Sequence, residues 1–140
     1  ERYTHGHVFD FVKQLKKNKN LLFVLGDGNQ KKSYLHINDC IEGIFKGMKF
    51  FDKKINIINL GTSEYINVKK SIQNISSVLK LKPKIIYKGG KKGWIGDNPF
   101  ILLDTKKIKS SGWKPKYSIE ESVKITTKYL VKNSWLLKKN

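Results

Sequence analysis

Apolar residues recur along this chain at two periods, and the switching between them predicts a mixed order of short strands and helices. Val8, Phe11, Val12 and Leu15 fall at i, i+3, i+4 and i+7, the spacing of an amphipathic helix over Val8 to Lys17. Leu21 to Leu25 is a short apolar run that stops at Gly26-Asp27-Gly28, a strand entering a turn. Ser33 to Ile37 alternates polar and apolar and predicts the next strand. Asn38 or Asp39 then caps a helix through about Phe50, with Cys40 or Ile41, Ile44, Phe45 and Met48 as the inward stripe. Ile55 to Leu60 is rich in β-branched residues and ends at Gly61, the pattern of a strand covered on both faces.

Asn67 caps a further helix, whose stripe is Val68, Ile72, Ile75, Val78 and Leu79. Pro83 comes next, then a strand over Lys84 to Tyr87. Lys88 to Pro99 reads as a loop, with Gly89, Gly90, Gly93 and Gly96 beside Lys91, Lys92, Trp94 and Asp97. Such a mixture either wraps a sugar or phosphate or forms a plain surface loop. Phe100 to Leu103 is a brief extended piece, and Thr105 to Ser110 a short helix stopped by Gly112. Ser118-Ile119-Glu120-Glu121 is a capping box opening a last helix that runs to about Lys132. With no repeat and no linker, residues 1–133 read as one unit. Residues 134–140 read as a frayed tail, with Trp135, Leu136 and Leu137 as the side chains able to dock.

Composition narrows the function. A length of 140 residues fits one domain under the usual ~100–200. The formal charge of +18 points toward a polyanion, but Arg2 is the only arginine and the lysines are scattered. Nucleic-acid readers lean on arginine's planar fork, so a nucleic-acid-binding module is the lesser reading. A lone Cys40 excludes a disulfide framework and a cysteine zinc site, and suits a reducing, cytoplasmic setting. On its helix stripe it reads as an inert buried thiol. His5 and His7 at i, i+2 diverge on a helix, so no metal site is expected. No apolar run approaches the ~20 residues of a membrane-spanning helix, and no signal-peptide pattern is present. The chain opens at Glu1 without an initiator Met, so a longer protein is expected.

Gly26-Asp27-Gly28 lacks the GK[ST] ending of a P-loop and reads as a turn that needs positive φ. Tyr65-x-x-x-Lys69 and Tyr87-x-x-x-Lys91 have the spacing of a phenol one helical turn from an ammonium. In so lysine-rich a chain the spacing arises by chance, and Tyr65 precedes the Asn67 cap. No catalytic residue is assigned.

In order, five stretches fit one pattern: Arg2-Tyr3-Thr4-His5-Gly6; Gly26 through Asp39; Asn59-Leu60-Gly61; Gly96-Asp97; and Asp104 through Gly112-Trp113-Lys114-Pro115. Together they resemble the C-terminal half of the NAD-dependent sugar epimerase/dehydratase family, the extended short-chain dehydrogenases. That family shows GDG-x-Q-x-R-x-(F/Y)-x-x-V-x-D, N-(I/L)-G, R-x-G-D and L-G-W-x-P stretches. The resemblance implies an α/β fold of mixed short strands and helices, the C-terminal substrate-binding part of such an enzyme. The N-terminal Rossmann domain, with NAD and the catalytic pair, is lacking here. It also implies that Ile55 to Leu60 rejoins the Rossmann sheet, that this chain alone is inactive, and that the full-length enzyme is a homodimer.

The resemblance also carries a site onto these residues. Lys32 stands where the family has a diphosphate-clasping arginine; an ammonium keeps the charge and loses the bidentate fork. Tyr34 falls at an aromatic position closing the pocket, and Leu25 where a residue lies against uracil. His7 and Val8 open the first helix, where the nucleotide meets the chain. Asp97 matches a ribose-binding aspartate. Trp94 replaces the R-x-G-D arginine, with Lys92 two residues earlier as a substitute or Trp94 stacking on base or sugar. The implied function is a nucleotide-sugar 4-epimerase acting on a UDP-sugar: NAD oxidises the C4 hydroxyl and hydride returns to either face. A 4,6-dehydratase or decarboxylase of the same family, a basic nucleic-acid binder, and a scaffold that keeps only the fold are the alternatives.

Overall fold

A computed structural model of the chain describes residues 6–52, 54–90, 93 and 100–138. In order come α1 (His7–Lys17), β1 (Leu21–Val24), β2 (Lys31–Lys32), α2 (Ile37–Phe50), β3 (Ile66–Asn67), α3 (Val68–Leu79), β4 (Lys84–Tyr87), α4 (Lys106–Ser110) and α5 (Ile119–Lys132). A 3-10 turn, Ser134–Lys138, closes the order. β1 and β4 pair in parallel, from Leu21 opposite Lys84 to Val24 opposite Tyr87. β2 and β3 form a two-residue antiparallel ladder.

The core lies between this small sheet and the helices α1, α3 and α5. Phe11, Val12 and Leu15 of α1, Leu22 and Val24 of β1, and Ile72 and Ile75 of α3 form one buried cluster with Ile119, Val123 and Leu130 of α5. On α1 and α3 these are the stripes that the helical period marks, and burying this cluster is the main force holding the elements together. Local chemistry fixes the helix ends. Asn67 Oδ1 accepts the Lys70 amide at 2.8 Å, and Ser118 and Glu121 close the expected capping box.

Five expectations change. The second strand is Lys31–Lys32, earlier than Ser33 to Ile37, because those lysines meet Asn67 and Ile66 across the ladder. His36, rather than Asn38 or Asp39, caps α2, its Nδ1 accepting the Asn38 amide at 3.2 Å. The tail does not fray through Lys138: Leu137 is buried in the core and Leu136 packs beside it.

The largest change is on α2, which turns its apolar stripe outward. Its buried residues are Asp39, Gly43 and Gly47, while Ile41, Ile44, Phe45 and Met48 are exposed. Trp113 and the side chains of Ile58 and Leu60 approach the glycine face so closely that a Cβ on Gly43 would stand 2.7 Å from Leu60 Cδ2 and 3.1 Å from Trp113. Buried Asp39 accepts the Lys116 and Tyr117 amides at 3.1 and 3.2 Å, which satisfies its charge. Ile55 to Leu60 belongs to no ladder among the described residues, and only alternate residues turn inward. Ile55 and Ile57, 78% and 81% exposed, face out. It is an unpaired extended segment, held by Asn59 Nδ2 to the Asp104 carbonyl and by Lys107 Nζ to the Ile57 carbonyl.

Candidate functional site

Because β1 and β4 run parallel, their carboxyl ends open on the same side. Leu25 and the Gly26–Gly28 turn leave β1 there, and Lys88, Gly89 and Gly90 leave β4. Open parallel sheets bind ligands outside this edge, where loops can fan out without breaking ladder hydrogen bonds. The two loops stay joined past the strands through the Lys88 amide to the Val24 carbonyl (2.9 Å) and the Gly89 amide to the Gly26 carbonyl (3.2 Å).

The glycine turn is locked in place. Asp27 Oδ1 accepts the Asn29 amide at 2.8 Å, and Asn29 Nδ2 donates to Asp27 Oδ2 at 3.1 Å. These bonds hold the Asp27 carboxyl below the usual carboxylate range. Lys69 Nζ donates to Asn29 Oδ1 at 2.9 Å. Gly28 sits at φ 79°, and a Cβ there would collide with Tyr87 and Lys69, so only glycine fits. The Val68 and Lys69 amides at the start of α3 donate to the Gln30 and Gly28 carbonyls, so the turn itself occupies that helix end.

Beside the turn, β2 brings Lys32 near His7. His7 Nε2 lies 2.9 Å from Ser71 Oγ. Its ring stacks on Tyr34 with centroids 4.9 Å apart and 17° between planes, and meets Phe11 edge-on. Burial first, and the Lys32 charge second, lower the His7 pKa from 6.5 to about 4. The imidazole is therefore neutral at physiological pH. Val8 packs on the core cluster rather than standing clear of it, and Leu25 is half exposed at the end of β1.

The structure thus gathers His7, Lys32 and Tyr34 into one cluster with Leu25 at the neighbouring strand end. Lys92, Trp94 and Asp97 lie outside the described residues. Tyr65 and Lys69 are no phenol–ammonium pair, since Tyr65 precedes α3 and Lys69 is committed to Asn29. Cys40, expected to be buried, is only half-buried on α2. Among the described residues no three His, Cys, Asp or Glu side chains stand together as metal ligands. Sequence reasoning missed Ser71 and Lys69. Ser71 left a trace, a hydroxyl on the apolar face of α3 between Val68 and Ile72; Lys69 left none among so many lysines. An open groove of about 760 Å³ lies elsewhere, between Tyr65 and the start of α5, lined by Asn67, Lys70, Ser118 and Glu120. Its Glu64 already accepts the Ile119 amide, and its Glu120 pairs with Lys70.

Residues 1–126 match the family model described as GDP-mannose 4,6 dehydratase. The chain belongs to this family. It is a C-terminal portion of an NAD-dependent epimerase/dehydratase, in fold as in sequence. A UDP-glucuronate 4-epimerase from Thermodesulfobacterium geofontis is 27% identical over 136 residues, covering 94% of this chain and 39% of that protein. A solved UDP-galactose 4-epimerase superposes with a TM-score of 0.78 at 31% identity, over 96% of this chain and 43% of its own. A UDP-glucose 4-epimerase from Thermotoga maritima, solved with UDP-glucose, gives 0.78 at 25% identity, over 95% and 41%. The chain spans about two fifths of the length of the curated relatives it matches.

Among the described residues, none form a cradle that fits the family's NAD. A dinucleotide cradle needs a glycine-rich turn opening directly into a helix. Here the glycine turn leads from β1 to β2, and the one helix N-terminus it touches, that of α3, is filled by its own carbonyls.

Proposed function

We propose that this chain is the substrate-holding part of a nucleotide-sugar 4-epimerase and that its substrate is a UDP-sugar. The observation that carries the reading is the meeting of the locked glycine turn, Leu25 and the Lys32–Tyr34 stretch beside the carboxyl edge of the β1–β4 pair. The likeness to an epimerase solved with UDP-glucose supports the nucleotide and the sugar. In this reading Lys32 meets the diphosphate as a point charge, Tyr34 walls the pocket, and Leu25 lies against the base. Val8 and the start of α1 border the nucleotide, and Asp97, with Lys92 and Trp94, takes the ribose and the second phosphate.

The chain's work is to bind and orient. The redox chemistry of the reaction belongs to NAD held outside this chain, and the chain alone is inactive. The outward stripe of α2, with Ile55 and Ile57, supports a dinucleotide-binding half as the missing partner, since so much apolar surface on one face calls for a cover. The working enzyme is a cytoplasmic homodimer in this reading. No helix among the described residues is long and apolar enough to cross a membrane.

The test is turnover by the full-length protein. Interconversion of UDP-glucose and UDP-galactose is expected, and Lys32→Gln should raise KM ~10–100-fold, the range for losing a hydrogen bond to a charged group. The family match to a 4,6 dehydratase favours a second reading, a keto-deoxy product from GDP-mannose, and that product without epimerisation would replace the first. Neither product, with salt-sensitive DNA binding, would sink both.

A further inference from the structure

His7 is engaged within the protein through Nε2 and through its ring. Its Nε2 is 2.9 Å from Ser71 Oγ, and Ser71 is fully buried on α3. One side of the ring is stacked on Tyr34, and Phe11 meets it edge-on. Three pieces of chain therefore converge on one imidazole: α1, α3 and the stretch leaving β2. The contact adds to what holds that stretch, where the ladder behind it pairs Lys31 with Asn67 and Lys32 with Ile66 and Tyr34 packs on the core cluster. A ladder of two residues does little alone to fix the chain beyond its end. The ring is also neutral at physiological pH, with Lys32 nearby, so it brings no charge of its own to a phosphate.

We propose that His7 is a positioning residue: its ring bolts Tyr34 to α3 through Ser71 and so sets the Lys32–Tyr34 stretch against the substrate. The inference rests on the reading of Lys32 and Tyr34 as substrate contacts. It departs from the expectation that the His7 side chain itself meets the nucleotide.

The experiment uses the full-length protein, with UDP as the probe in calorimetry and amide hydrogen exchange read over residues 31–36. His7→Ala removes both the stack and the bond, and should weaken UDP binding ~10-fold, in KM more than in kcat. His7→Phe keeps a stack and strands the Ser71 hydroxyl; Ser71→Ala keeps the stack and strands the imidazole. Each should cost ~3-fold, while the double variant His7→Phe with Ser71→Ala recovers most of that loss, because both polar partners are gone. Exchange at 31–36 should quicken in His7→Ala while α5 keeps its wild-type protection. UDP binding and exchange both unchanged in His7→Ala would overturn the proposal, and so would equal losses in the single and double variants. If the wild-type protein fails to bind UDP, the substrate reading falls. Exchange then decides the bolt by itself: faster at 31–36 supports it, unchanged rejects it.

Discussion

Helices α3 and α2 carry apolar stripes of similar clarity and bury them to opposite degrees. On α3 the stripe goes inward, and Ile72 and Ile75 lie at the centre of the cluster shared with α1 and α5. On α2 the stripe goes outward, and the buried face is Asp39, Gly43 and Gly47. The difference shows what hydrophobic period measures. It marks a face that will be covered, and says nothing about which element covers it. For α3 the cover is in this chain. For α2 the inner face is built for close approach by Trp113 and the 56–60 segment, which glycine permits, and the apolar face is left for something else.

Substitutions on the two helices separate them most widely. Ile75→Ala opens a cavity in a filled core and should destabilise the chain by ~2–5 kcal/mol in urea unfolding. Phe45→Lys on the outer face of α2 should change the stability of the 140-residue chain by less than ~0.5 kcal/mol, since the lysine meets water. In full-length protein the same change should cost on the order of 3 kcal/mol, because a charge would be buried without a partner. Equal small effects in both proteins would mean that nothing covers α2.

Much of the fold was legible in the sequence because its causes are local. The Asn67 and Ser118 caps, the β1 and β4 runs and the stripes of α1 and α3 each stand where pattern and end-signals agree. What was not legible depends on partners distant in sequence. Lys31 and Lys32 have no strand-like alternation, and become a strand because Ile66 and Asn67 lie across from them. Ile55 to Leu60 reads as doubly covered, yet among the described residues it joins no ladder, and Ile55 and Ile57 face out. The site obeyed the same rule. Lys32 and Tyr34 could be placed by their order in a motif, whereas the link from His7 to Ser71 spans 64 positions and no spacing announces it.

That link gives a pH dependence on the well-covered side of the molecule. His7 is neutral in the folded chain down to about 4, while in the unfolded chain it takes a proton below about 6.5. Between those values the unfolded state holds the extra proton, so stability falls as pH drops from 6.5 to 4 and levels off below. The expected loss is ~3 kcal/mol across that window. His7→Phe should flatten the slope; an unchanged slope would assign it elsewhere.

The smallest effect sharpens the comparison at the end of α5, whose inward face completes the α3 side. Ser118 Oγ accepts the Glu121 amide at 3.2 Å, and Glu121 Oε2 accepts the Ser118 amide at 2.8 Å. Ser118→Ala removes the hydroxyl and should cost ~1 kcal/mol, or a few degrees in Tm, with Ser118→Asn restoring most of it. The bonds from Ser118 hold the Glu121 carboxyl below its ordinary 4.5. A lowered carboxyl contributes stability above that value and loses it as pH falls through the folded one, so the cap weakens only in acid. At neutral pH wild type and Ser118→Ala should therefore differ by the full amount, and the gap should narrow below pH 4.5. A gap constant with pH would mean that the bond from the Ser118 hydroxyl to the Glu121 carboxylate adds nothing.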